Sequence, residues 1–139
     1  MGCMDVQQSR DDVGLIWAVL IKNEIIGYWP AVLFGNLGSG ATHMDIGGEV
    51  AYSPTAPGTR LTKTDMGSGR FPGRGFGYAT YTRAIHIYGY NASEFYPDRE
   101  LYASKSACYN VTYNQDGNPT WGNHIFFGGP GGDSPQCVA

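Results

Sequence analysis

Charge is scarce in this chain: only 15% of its 139 residues are Asp, Glu, Lys or Arg. The nine basic residues are scattered from Arg10 to Lys105, and the formal net charge is -3. No basic stripe exists to neutralise phosphates, so nucleic acid is not an expected partner. Long apolar runs are missing too, and no stretch suffices to cross a bilayer, so no membrane partner is expected. The histidines, His43, His86 and His124, are isolated and lack metal-ligand spacing with the cysteines. No metal and no cofactor are therefore expected. Gly128-Gly129-Pro130-Gly131-Gly132 is glycine-rich, yet it lacks the Gly-Lys-Ser/Thr ending and following helix of a phosphate loop. Cysteine is limited to Cys3, Cys108 and Cys137. From the residues alone, Cys108 and Cys137 read either as a disulfide or as two buried free thiols.

What is present is apolar, small and aromatic. Hydrophobic residues make up 42% of the chain, with Gly 21, Pro 8 and Tyr 10. That composition belongs to one packed domain of many short strands joined by turns. The apolar run Leu15 to Ile21 reads as a strand buried on both faces, Asn23-Glu24 as a turn, and Ile25 to Tyr28 as the next strand. Pro30 suits the first turn of a short helix carrying Val32, Leu33, Phe34 and Leu37. Thr42 to Tyr52 reads as a strand interrupted in character by Gly47-Gly48, with Gly48 and Val50 on one face and Glu49 on the other. Met66 to Gly77 is a long glycine loop. Tyr78 to Tyr88 alternates as a half-buried strand, placing Tyr81, Ile85 and Ile87 together, and Tyr109 to Tyr113 and Asn123 to Phe127 supply two more. The predicted architecture is all-β, an antiparallel sandwich with one short helix.

Several blocks recur in a fixed order. They are Ile26-Gly27-Tyr28-Trp29-Pro30, Ile46-Gly47-Gly48-Glu49-Val50, Met66-Gly67-Ser68-Gly69, Phe71-Pro72, Gly75-Phe76-Gly77, Cys108-Tyr109-Asn110, Trp121-Gly122-Asn123 and Phe126-Phe127-Gly128-Gly129-Pro130-Gly131, with Cys137 closing the set. In this order the chain resembles the C-terminal part of a neprosin domain, the plant glutamic-peptidase family. The resemblance runs from about Trp17 to Cys137, so residues 14–139 are assigned to the domain and residues 1–13 to a segment outside it. The resemblance implies a β-sandwich of two curved sheets, secretion, cleavage of peptides after proline at acid pH, and a C-terminal bridge between Cys108 and Cys137. A secreted relative carries an export signal and a pro-segment, and neither is legible from Met1 to Ile21. The expectation is a truncated domain with Cys3 left over.

Such a peptidase needs two carboxyls beside one water. One takes the water's proton, and the other, protonated, polarises the scissile carbonyl. Like charges push the pair's pKa values apart, so it holds one proton over an acidic range, and the titration belongs to the pair. Carried over, Glu49 is one member. The block holding the other, a glutamate followed closely by Gly-Trp, does not occur in these residues. Glu24, Asp45, Asp65, Glu94 and Glu100 qualify by type only, and Asp45 lies about 13 Å from Glu49 along an extended strand. The chain is therefore expected to be inactive alone.

Tyr28, Trp29 and Gly48 are the residues expected to contact a peptide, although an aromatic pair in such a place also serves as core. Ser68 has no His or Asp partner in a matching block, so a serine nucleophile is not expected. Of the sequons at Asn91 and Asn110, Asn91 lies in the more turn-like stretch and is the expected glycan acceptor. Two rival readings carry other consequences: a noncatalytic module whose aromatic residues hold glycan or peptide, and a nonfunctional fragment. The expected partners are a peptide or protein substrate and, through an exposed sheet, a second copy of the chain.

Overall fold

The computed structural model describes residues 6–10, 16–22, 24–36, 41–52, 61–87, 100–114 and 120–138. It divides into two compact units, Met1–Asp45 and Ile46–Ala139. Each holds one antiparallel three-stranded sheet.

In the first unit β1 (Val6–Arg10), β2 (Ile16–Ile21) and β3 (Glu24–Pro30) form a meander with β2 in the centre. The tight turn after Ile21 is taken by Lys22, whose φ of 52° is left-handed. Val19 pairs with Gly27 and Leu20 with Ile25, so the register shifts and Ile26 is left without a partner in β2. Two expectations change here. The run to Ile21 is not buried on both faces: only Ala18 is buried, and the other residues of β2 are half-exposed. In place of an α-helix the described residues form a 3-10 turn, Ala31–Leu33, closed by the Phe34 N–H donating to the Ala31 carbonyl at 3.0 Å, with Gly35 and Asn36 again in 3-10 conformation; Leu37 lies outside the described residues. Pro30 ends the strand in extended conformation, and Val32 and Leu33 point into solvent while Ala31 is buried.

The second unit is built on β4 (Thr80–Thr82), β5 (Asn110–Asn114) and β6 (His124–Gly128), in the order β4-β6-β5. β6 is the central strand because it is the most apolar, and four of its five residues are buried. Tyr81 lies opposite Phe126, while Val111 and Thr80 flank Phe127. Alternation therefore puts Tyr81, His124 and Phe126 on one face and Ile125, Phe127, Val111 and Tyr113 on the other.

β4 is far shorter than the alternating stretch from Tyr78 to Tyr88 suggests. Ala84 adopts a φ of 52°, which breaks the extended backbone. The chain is then held irregularly, by the Ala84 N–H on the Trp121 carbonyl (2.9 Å) and the Ile85 N–H on the Asn123 carbonyl (3.0 Å). Ile85 and Ile87 consequently do not continue the face of Tyr81.

The core of this unit is a small cluster around a disulfide. Cys108 and Cys137 are bonded, with Cα atoms 4.7 Å apart, and both are fully buried. Leu61 and Tyr109 complete the cluster, and Val50 and Met66 pack against it. The loop Met66 to Gly77 is ordered by local bonds. The Gly69 N–H donates to the Met66 carbonyl, Arg74 to Phe71, Gly75 to Pro72, and the Ser68 N–H to Thr80 Oγ1.

The bridge closes a loop with a sequence separation of 29, so the chain-entropy model gives it about 3–4 kcal/mol. Urea unfolding with and without reductant, followed by tryptophan fluorescence, is expected to show a loss of that size. An unchanged midpoint would remove the bridge from its place as the centre of the core.

Candidate active site

Glu49 sits on a segment that is pinned on either side of it. The stretch from Thr42 to Tyr52 makes no ladder with any described strand, contrary to the sequence expectation, and follows an extended path with a bend at Gly47. It is held by packing. A methyl group on Gly48 would lie 2.8 Å from the Cγ and Sδ of Met66 and 3.0 Å from the Phe127 ring, so a larger residue there would have to displace the Met66 side chain. One residue beyond Glu49, Val50 packs against the disulfide cluster. Inward contacts at Gly48 and Val50 turn the intervening side chain outward, and Glu49 is exposed. The alternation read from the sequence thus holds over these three residues without a paired strand.

Met66, the residue against Gly48, is itself bridged to Gly129: its N–H donates to the Gly129 carbonyl at 3.0 Å, and the return bond is 3.4 Å. Glu49 is consequently tied to the loop that begins at Met66 and to the end of β6. Beside this frame, the Tyr109 hydroxyl donates to the Thr64 carbonyl at 2.8 Å. Burial raises the Tyr109 hydroxyl above its ordinary value, and the Asp65 carboxylate and the Tyr52 phenol add to the shift. A raised folded-state value means that neutral Tyr109 supports the fold at all pH below the usual tyrosine range. That support fades as pH climbs through the raised value. In the sequence Asp65 is a candidate second carboxyl by type only, and Tyr109 is hinted at only by the block Cys108-Tyr109-Asn110.

Among the described residues Glu49 makes no hydrogen bond or ion pair with another acid. The Asp65 carboxylate lies against Gly69. Asp45 instead accepts from His43 at 3.1 Å on an open surface of the first unit. Glu24 is exposed at the start of β3, Glu100 is exposed in the second unit, and Glu94 lies outside the described residues. Nor do any three His, Cys, Asp or Glu side chains among the described residues gather so as to hold a metal ion.

The family model for Neprosin matches residues 3–130. The chain belongs to the neprosin family. The match takes in β1, which lies within the stretch 1–13 that shows none of the quoted blocks. It carries a peptidase-related function to the chain. The bonded Cys108–Cys137 pair suits the oxidising environment of a secreted protein.

The other residues expected in the neprosin domain's site are placed as follows. Tyr28 and Trp29 belong to β3 of the first unit, and Gly48 and Glu49 to the second. Tyr28 lies opposite Ala18 and Trp29 opposite Trp17. As neighbours on a strand they point to opposite faces, so a groove on one face can use only one of them. Both are well exposed, at 62% and 44%, so neither serves as core. Asn91 lies outside the described residues. Asn110, the other sequon, is exposed at the start of β5, where its side-chain oxygen accepts from the Val111 N–H at 2.8 Å. Ser68 is anchored through its backbone to Thr80, with no His or Asp on its hydroxyl.

The close fit at Gly48 yields a sharp contrast. Gly48→Ala is expected to destabilise the domain by about 1–3 kcal/mol through overpacking against Met66 and Phe127. Gly47→Ala, with nothing within 4 Å, is expected to be close to neutral. Thermal melts of the two variants check this, and equal melting temperatures would show that Gly48 is not held against the core.

Proposed function

We propose that this chain is a glutamic-peptidase domain in which Glu49 supplies one of two catalytic carboxyls and a proline-containing peptide is the substrate. The pinning of Glu49 between Gly48 and Val50 is the observation that carries the reading. A strand residue with a solvated carboxylate needs no glycine jammed against a methionine and a phenylalanine behind it. A carboxylate that must meet a water and a peptide carbonyl at fixed distance does need that anchoring. In this reading Glu49 takes or gives the proton of the attacking water. Its partner, in the opposite protonation state, stabilises the oxyanion. The absence of a hydrogen-bonded carboxyl partner for Glu49 among the described residues, and of a Glu-Gly-Trp block in the sequence, supports a chain that does not cleave alone. Its place of action is outside the cell, where the disulfide persists.

A second reading, a noncatalytic module for glycan or peptide, draws on the rings of the second unit. Phe76, Tyr81, Trp121 and Phe126 lie with centroids 5.1–6.0 Å apart, and the Arg83 guanidinium stands 5.8 Å over the Trp121 ring. Phe76 is largely exposed, which leaves a ring face open to a ligand.

Incubation with a proline-containing peptide at about pH 3–5, where a carboxyl pair shares a proton, tests the role given to Glu49. No cleavage is expected of this chain by itself. Cleavage that disappears in Glu49→Gln would place a competent second carboxyl within these residues and overturn the inactivity. Cleavage that survives in Glu49→Gln would remove Glu49 from the chemistry.

A further inference from the structure

β5 lies at one side of its sheet, with β6 as its single neighbour among the described residues. Along such an edge every second residue turns its N–H and C=O away from the ladder, toward water or another strand. Asn110 opens β5, opposite Gly128. Its Oδ1 accepts the Val111 N–H at 2.8 Å, so this donor is spent on the preceding side chain rather than on β6. The amide of Asn110 therefore stands at the open edge of the sheet. Its Nδ2 makes no hydrogen bond among the described residues. From Cys108 to Tyr113 the cysteine and Tyr109 are buried and Val111, Thr112 and Tyr113 half-buried, and Asn110 is the exposed residue of the stretch.

Asn110-Val111-Thr112 fits the acceptor pattern for an N-linked glycan, with valine and not proline in the middle. The donor is an oligosaccharide carried on a lipid diphosphate. Transfer forms a bond between Nδ2 and the first sugar's anomeric carbon, and it releases the lipid diphosphate and one Nδ2 proton. Only Nδ2 reacts, so Oδ1 keeps the Val111 N–H afterwards. Position in a strand is the argument against this sequon, and the structure answers it. The side chain sits at the strand's first residue and outer edge, so a sugar leaves it without crossing β6 or the disulfide core.

We propose that Asn110 is the attachment site of an N-linked glycan, which stands on the open edge of β5 and shields it from pairing with another strand. Sheet edges are ordinarily protected by charge, by proline, by shortness or by cover. β4, the other edge, is three residues long and is followed at once by Arg83. β5 is five residues long, Asn-Val-Thr-Tyr-Asn, with no charge and no proline. Its Val, Thr and Tyr are strand formers, so the sequence itself offers an edge suited to strand addition. A glycan at the strand's first residue supplies bulk and hydration that these side chains do not. The inference rests on the extracellular reading above, since this modification belongs to exported proteins. It depends on neither Glu49 nor cleavage.

The full chain, expressed behind an added export signal in cultured plant cells and collected from medium and membranes together, provides the test. The added signal keeps the result apart from whether the chain directs its own secretion. A glycosidase that accepts plant cores, used in heavy-oxygen water, converts a glycosylated asparagine to labelled aspartate. Trypsin separates the two sequons, because Asn91 falls between Arg83 and Arg99 and Asn110 lies beyond Lys105. Label is expected at Asn110, and Asn110→Gln is expected to run faster on a gel by one glycan. Thr112→Ala keeps the Oδ1 bond to Val111 and should lose the glycan too, whereas Thr112→Ser should retain it. Asn91→Gln should leave the label at Asn110 in place. Recovery of Asn110 unlabelled, whatever the state of Asn91, would overturn the site. Gel filtration of intact and trimmed protein reads the shielding, and trimming is expected to shift the chain toward dimers and larger species. Association unchanged by trimming would overturn the role at the edge.

Discussion

The buried bond between Cys108 and Cys137 is the constraint on which the second unit depends. Its core is small: Leu61 and Tyr109 are the buried residues clustered with the two cysteines, and Val50 and Met66 lean on them. A cluster of that size contributes little burial by itself, and small cores need a staple to persist. The bridge ties the turn before β5 to the tail after β6. The Gly131 N–H reaches the Cys108 carbonyl at 3.3 Å and the Tyr109 hydroxyl reaches the Thr64 carbonyl, so the loops to either side are bound to the same point. Val50 and Met66 transmit this anchoring to Glu49's segment, one through the chain and the other through Gly48.

The site is therefore a product of irregular structure. Glu49 stands on a segment without ladder partners, the Met66 loop is a chain of tight turns, and the two are locked by a glycine-sized gap. Such packing fixes the backbone beneath Glu49 and leaves its side chain exposed.

The first unit follows a different logic. Its sheet is a regular meander with one register shift, and its apolar residues are mostly half-exposed or exposed, Ile25 and Ile26 at 61% each. The aromatic residues Tyr28 and Trp29 diverge across its two faces because neighbours on a strand must.

Much of the local order was legible from residue pattern alone. The strands at Ile16–Ile21, Asn110–Asn114 and His124–Gly128 follow from apolar and alternating runs, whereas Glu24, read as part of a turn, already pairs with Ile21 at the start of β3. The ordered blocks identified the family and, through it, the bridge. Tertiary structure decided the rest. Ala84 takes a left-handed φ that ends β4, because its N–H finds the Trp121 carbonyl rather than a ladder partner. Gly48 faces Met66 and Phe127, residues distant in sequence whose approach no local period encodes. The proximity of Tyr109 to Asp65 and Tyr52 depends in the same way on loops whose paths are set by backbone bonds across the fold. Periodicity reports which face a side chain takes on a regular element; it carries no information about what a loop meets, and the site lies on loops.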